Sequence, residues 1–268
     1  MLIGAMNHPA QDVISEIRWM AEMRLDFIDL TLEPPAAAVW LVNGREVRDL
    51  LASHNMTAVG HTAYYLPFAS AFESVRCAAV DELRRCLDVF AEVGVKWMNL
   101  HPDRHTPMHD RGFYIGRNLQ SIHELQQHAE DTGVGLMIEN LPGDFNSAPQ
   151  LGELLEAVPE LGLHLDIGHA NLIVPHNTTG EILHAWGSRL RHVHLHDNKG
   201  GHADLHLPLG AGTLDVRQSL KHLIDCGFDG TITLEVFTPD RHFFAYSRDV
   251  LRRMWDELKS SSSTAAAR

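Results

Sequence analysis

Residues 190–198 read Leu-Arg-His-Val-His-Leu-His-Asp-Asn, and the alternation in that stretch decides the fold. In an extended strand, Val193 and Leu195 point to one face while His192, His194 and His196 point to the other. The same two-faced pattern returns on either side. Residues 161–169 set Leu163, Leu165 and Ile167 against His164 and Asp166, and residues 230–237 set Ile232, Leu234 and Val236 against Thr231, Thr233 and Glu235. Residues 27–33 oppose Ile28, Leu30 and Leu32 to Asp29, Thr31 and Glu33. Further strand patterns occupy 1–7, 57–63, 97–102 and 135–141. Helical patterns fall between them, around 11–24, 45–54, 72–93, 116–132, 149–157, 179–187, 215–226 and 244–259. Eight such units predict an α/β chain with one closed (β/α)8 barrel over 1–259, followed by a low-complexity, disordered tail over 260–268. The apolar rows then face the helices and the polar rows face the barrel interior. Enclosed polar groups must be paired or must bind something.

Composition narrows the function. The chain has 268 residues, with 22 Lys plus Arg against 35 Asp plus Glu, a net charge of −13. No apolar run approaches the roughly 20 residues that span a bilayer, so no membrane is expected. The start, MLIGAMNHP, lacks the basic region of a signal peptide. Three cysteines, two of them on one helix, read as reduced thiols and a cytoplasmic location. Against only four lysines stand 19 histidines, the commonest metal ligands.

Barrel active sites lie at the C-terminal ends of the strands. Those ends carry His61, His101, Glu139, Asp166, His169, His194 and Glu235, and the loop after strand seven adds Asp204 and His206. Nine imidazoles and carboxylates from six consecutive units thus converge on one rim. A bound cation, Zn²⁺ or Mn²⁺, makes so many buried ionisable groups tolerable together. Glu33, Tyr64, His196 and Lys199 stand nearby as candidate substrate contacts. Gly210-Ala-Gly212, ahead of a helix, offers a place where a phosphate could sit.

The strand-end motifs GHTAYYL (60–66), NLHPD (99–103), MIENLPG (137–143), HLDIGHANL (164–172), HVHLHDNKG (192–200), DLHLPLGAG (204–212) and TLEVF (233–237) resemble those of the xylose isomerase-like barrel superfamily, which includes the second family of AP endonucleases. The likeness to endonuclease IV-type enzymes extends to every ligand of their three-metal site. It implies that Glu139 bridges two ions, one also held by His61 and His101 and the other by Asp166, His194 and Glu235. A third would take His169, Asp204 and His206. The same superfamily contains sugar and sugar-phosphate isomerases and epimerases, whose single ion is matched here by Glu139, Asp166, His194 and Glu235.

Two expectations follow. The fuller ligand set favours a multinuclear hydrolase, with one to three ions, acting on a small phosphoester. The alternative is a sugar or sugar-phosphate isomerase or epimerase with one ion, in which Glu139 and Glu235 are the catalytic acid and base, as the resemblance implies. DNA is disfavoured by the charge and by the loop LEPPAAAVW (32–40), which offers no cation, although Tyr64 falls where the endonucleases place an aromatic that penetrates the duplex. The sequence sets no oligomeric state.

Overall fold

A computed structural model describes residues 1–104 and 108–266. Eight parallel strands close a barrel in sequence order: β1 (Leu2–Met6), β2 (Phe27–Leu32), β3 (Thr57–Thr62), β4 (Trp97–Leu100), β5 (Gly135–Glu139), β6 (Gly162–Asp166), β7 (Leu190–Leu195) and β8 (Thr231–Leu234). The helices between them are α1 (Val13–Glu22), α2 (Gly44–Ser53), α3 (Glu73–Val93), α4 (Arg111–Thr132), α5 (Ala148–Leu155), α6 (Thr179–Trp186), α7 (Val216–Asp225) and α8 (His242–Ala266). The expected (β/α)8 barrel is the observed one.

Alternation explains why it closes. Ile28, Leu30, Leu163, Leu165, Val193, Leu195, Ile232 and Leu234 are all buried in the layer between strands and helices. The opposite row fills the inside of the barrel in tiers. At the bottom Phe27, Val59 and Met137 form a small apolar cluster against Trp97. Gly4 is needed there, because a Cβ would lie 2.5 Å from the Phe27 ring. Above this plug the interior turns polar, with Asp29, His164, His192 and Thr233, and above that come the strand-end groups.

Asparagines knit the strands where they part. Asn7, just past β1, donates from Nδ2 to the Thr31 carbonyl and accepts from the Thr31 amide at 2.8 Å. Asn140, just past β5, does the same with Asp166, donating at 2.9 Å and accepting at 2.7 Å. Asn99 accepts from the Thr62 amide at 2.7 Å. A carboxamide mimics a peptide group, so it extends the ladder by one rung.

Two helix boundaries differ from the sequence reading by more than two residues. Helix α4 starts at Arg111 rather than about 116, because Asp110 caps it by accepting from the Phe113 amide at 2.9 Å. Helix α8 continues past residue 259, with Ser260 and Ser261 each donating to the carbonyl four residues back. Residues 267 and 268 of the expected tail lie outside the described residues.

Candidate active site

Each donor comes from the end of a strand or the loop after it. Glu139 ends β5 and is almost fully buried. Its Oε2 lies 3.0 Å from His101 Nε2 and accepts from Asn99 Nδ2 at 3.0 Å, while Oε1 lies 3.3 Å from His169 Nδ1. Asp166 ends β6; one oxygen accepts from the His169 amide at 2.8 Å and the other lies 4.0 Å from His194 Nδ1. Glu235 follows β8 and approaches His194 Nδ1 to 3.2 Å. His61, in β3, stacks on His194 with ring centroids 5.4 Å apart. Asp204 is gripped between His169 Nε2 at 3.2 Å and His206 Nε2 at 3.1 Å. All nine sequence candidates therefore meet at one rim.

His61, His101 and Glu139 offer donor atoms within 4.8 Å of one another, and so do His61, His194 and Glu235. His196 joins Asp166 and His169 in one such group and His206 and Glu235 in another. His196, expected to touch substrate, is 0% exposed, lying 3.5 Å from Asp166 and 3.4 Å from Asp204. Glu33 accepts from the Tyr65 hydroxyl at 2.9 Å. Tyr64 is exposed, edge-on to Tyr65, with its ring 6.5 Å from His101. Lys199 stands exposed in the loop after β7. His206 has φ +44°, a strained backbone for a residue with a side chain, and strain of this kind clusters at functional sites.

The donor set fits a divalent ion. His61 Nδ1, His101 Nδ1, Asp166 Oδ2, His194 Nδ1 and His206 Nδ1 are buried without a hydrogen-bond partner among the described residues. Native proteins rarely leave such atoms orphaned. The electrostatics agree. Burial raises Glu139 and Asp166, yet the imidazoles around them outweigh it and hold both carboxyls well below the usual range. Burial likewise lowers His169 and His194, but their carboxylates outweigh it and push both well above an ordinary histidine. The carboxylates call for positive charge, which protons supply here and a metal would supply by displacing them. His61 goes the other way, pushed down to about 3 mainly by burial, and stays a neutral imidazole.

The sequence reading did not single out Asp29 or His164, although the inward row of β2 and β6 contains both. Asp29 Oδ2 lies 2.6 Å from His194 Nε2 and 3.2 Å from His192 Nε2, and accepts from Thr233 at 2.9 Å. A carboxylate behind a ligating histidine fixes its ring and its tautomer. It also missed Asp197, which follows β7. Its carboxylate accepts from the amides of Asn198, Gly210, Gly212 and Leu214. The glycine loop considered for phosphate thus spends its amides on the chain's own carboxylate. The basic residues offer little more. Arg111 pairs with Glu153, Arg117 with Glu73 and Arg241 with Glu16.

Comparison with known proteins agrees with this architecture. Residues 17–255 match the family model described as xylose isomerase-like TIM barrel. An uncharacterized protein of Methanocaldococcus jannaschii is 31% identical over 177 residues, 62% of this chain and 59% of that one. Fructoselysine 3-epimerase of Escherichia coli O157:H7 is 22% identical over 202 residues, 72% and 73% of the two chains. The chain spans about three fifths of the length of the first curated relatives it matches. Among solved structures, a D-tagatose 3-epimerase-like protein superposes with TM-score 0.87 at 23% identity, covering 98% of this chain and 100% of that one. D-psicose 3-epimerase from Clostridium cellulolyticum H10 gives 0.77 at 16%, covering 96% and 99%. At such identities the superpositions speak for the fold.

Proposed function

The chain belongs to the xylose isomerase-like TIM barrel family, and from that premise we propose that it is a divalent-metal-dependent sugar epimerase, inverting a carbon beside a ketose carbonyl. The observation that carries this reading is the placement of two buried glutamates around one histidine pair. Glu139 from β5 and Glu235 from beyond β8 each share a donor group with His61, and Glu235 lies 3.2 Å from His194 Nδ1. Relatives named as ketose and fructoselysine 3-epimerases support the substrate class.

Glu139, Asp166, His194 and Glu235 would hold the ion. When bound, a divalent ion would polarise the carbonyl and the neighbouring hydroxyl oxygen, acidifying the C–H of the carbon that bears the hydroxyl. One glutamate takes that proton and the other returns one on the opposite face. Asn99 Nδ2 and His101 Nε2, each 3.0 Å from Oε2, aim Glu139 for the basic role. His101 and His206 flank the glutamates and are placed to meet sugar hydroxyls, and the exposed rings of Tyr64 and Phe237 flank the opening. The barrel of residues 1–259 is the catalytic unit. Three free thiols, Cys77, Cys86 and Cys226, support a reducing compartment such as the cytoplasm.

Phosphoester hydrolysis at a cluster of up to three zinc or manganese ions is a second reading. Its support is the Asp204 carboxylate held between His169 and His206, a group that a one-ion epimerase does not need. The relatives and the self-occupied glycine loop favour the epimerase. Incubating the manganese-loaded enzyme with a panel of ketoses and separating the products decides between them. New 3-epimers support the first reading; phosphate release from sugar phosphates with no epimer formed favours the second.

A further inference from the structure

Below the rim, sealed from beneath by Phe27, Val59 and Met137, the barrel encloses a second group of donors, of which the proposed reaction uses only His194. His164 from β6 and His192 and His194 from β7 bring ring nitrogens within 4.8 Å of one another, all three side chains being buried. Asp29 from β2 closes the group, 3.2 Å from His192 Nε2 and 2.6 Å from His194 Nε2. We propose that this layer holds a deep transition-metal site, distinct from the rim site, with His164, His192 and Asp29 as its ligands.

Three observations carry this. First, His164 is 0% exposed and neither of its nitrogens has a hydrogen-bond partner among the described residues; Nδ1 lies 3.3 Å from Glu139 Oε2 without bonding it. Asp29 Oδ1 is equally orphaned. Asp29 Oδ2 is held by His192, His194 and Thr233, so the unmet demand in this layer lies in the two His164 nitrogens and Asp29 Oδ1, which a bound cation would satisfy. Second, the spacing suits an ion. Ligands bound at about 2.1 Å in a tetrahedron lie roughly 3.3 Å apart, close to the His192–Asp29 distance of 3.2 Å. Third, His192 is already oriented from behind, its Nδ1 lying 2.7 Å from Thr231 Oγ1, which leaves Nε2 facing inward. Two imidazoles and one carboxylate suit zinc rather than magnesium or calcium. A divalent ion here and one at the rim would together balance the four buried carboxylates, Asp29, Glu139, Asp166 and Glu235.

Zinc binding to the full chain tests this independently of any turnover, so it reads out even if the epimerase reading fails. Stripped wild-type protein and the variants His164→Gln and His192→Asn are titrated with zinc, and folding is checked by circular dichroism. The proposal expects each folded variant to bind one zinc fewer per chain than wild type at saturation. Equal stoichiometry in wild type and a folded variant overturns it. Should neither variant fold, the wild type decides: one zinc per chain surviving prolonged dialysis against EDTA supports the enclosed site, and complete removal overturns it.

Discussion

Asp29 Oδ2 lies 2.6 Å from His194 Nε2, joining a carboxylate low in β2 to a rim histidine of β7 across the barrel interior. Burial opposes ionisation of Asp29, but hydrogen bonds from His192 and His194 outweigh it and hold the carboxyl well below its usual range. The carboxylate thus sets which nitrogen of His194 faces the rim.

Replacing Asp29 with Asn keeps the shape and removes the charge. Metal affinity is expected to fall about 10–100-fold, the usual effect of losing the carboxylate behind a ligating histidine. Competition between the protein and a zinc chelator measures it; unchanged affinity would show that His194 is positioned by the backbone alone.

The loop after β7 depends on Asp197, whose carboxylate binds four backbone amides at 2.8–3.1 Å. Asp197→Ala leaves those buried donors without a partner and is expected to destabilise the fold by about 3 kcal/mol. Urea unfolding of the metal-free protein checks this. The same change is expected to weaken any ion held by Asp204 and His206, which lie in that loop.

Stability of the metal-free protein is expected to peak near pH 6.5. Below it, the unfolded chain protonates His61 at an ordinary histidine value, whereas the folded site resists until about 3. The unfolded state then binds more protons, so stability falls with falling pH, by about 2 kcal/mol between pH 6.5 and 5 for this one group. Above pH 6.5 the signs reverse. His169 and His194, raised well above the ordinary value, contribute stability that is lost as pH rises through their folded values. Denaturation curves at pH 5, 6.5 and 8 test this, and zinc is expected to abolish the loss at pH 8.

Much of this was legible in the sequence because two simple periodicities coincide. The period-2 rows of β2, β6, β7 and β8 reported both the outward apolar face and the inward polar one, and strand ends named the nine rim donors. What stayed hidden depends on register across the barrel. That Asp29 lies beneath His194 follows from how β2 and β7 face each other across a closed sheet, far apart in the chain. Asp197 was hidden because its partners are backbone amides, which carry no residue signature. Asp110 was passed over as the cap of α4 because the apolar pattern begins a turn later, and Glu33 was named as a substrate contact without its partner, Tyr65, which sits on a neighbouring loop. The ranking of hydrolase over epimerase rested on counting donors; the relatives named as epimerases and the self-satisfied glycine loop reverse it.

The central claim is that Glu139 and Glu235 move a proton on opposite faces of a ketose. Its most direct test is proton NMR of a ketose substrate in deuterated water with the metal-loaded enzyme. The account predicts deuterium at the inverted carbon of the epimer, with turnover falling about 10²–10⁴-fold in Glu139→Gln and in Glu235→Gln. Epimer formed with no solvent deuterium, or full activity in either variant, would contradict it.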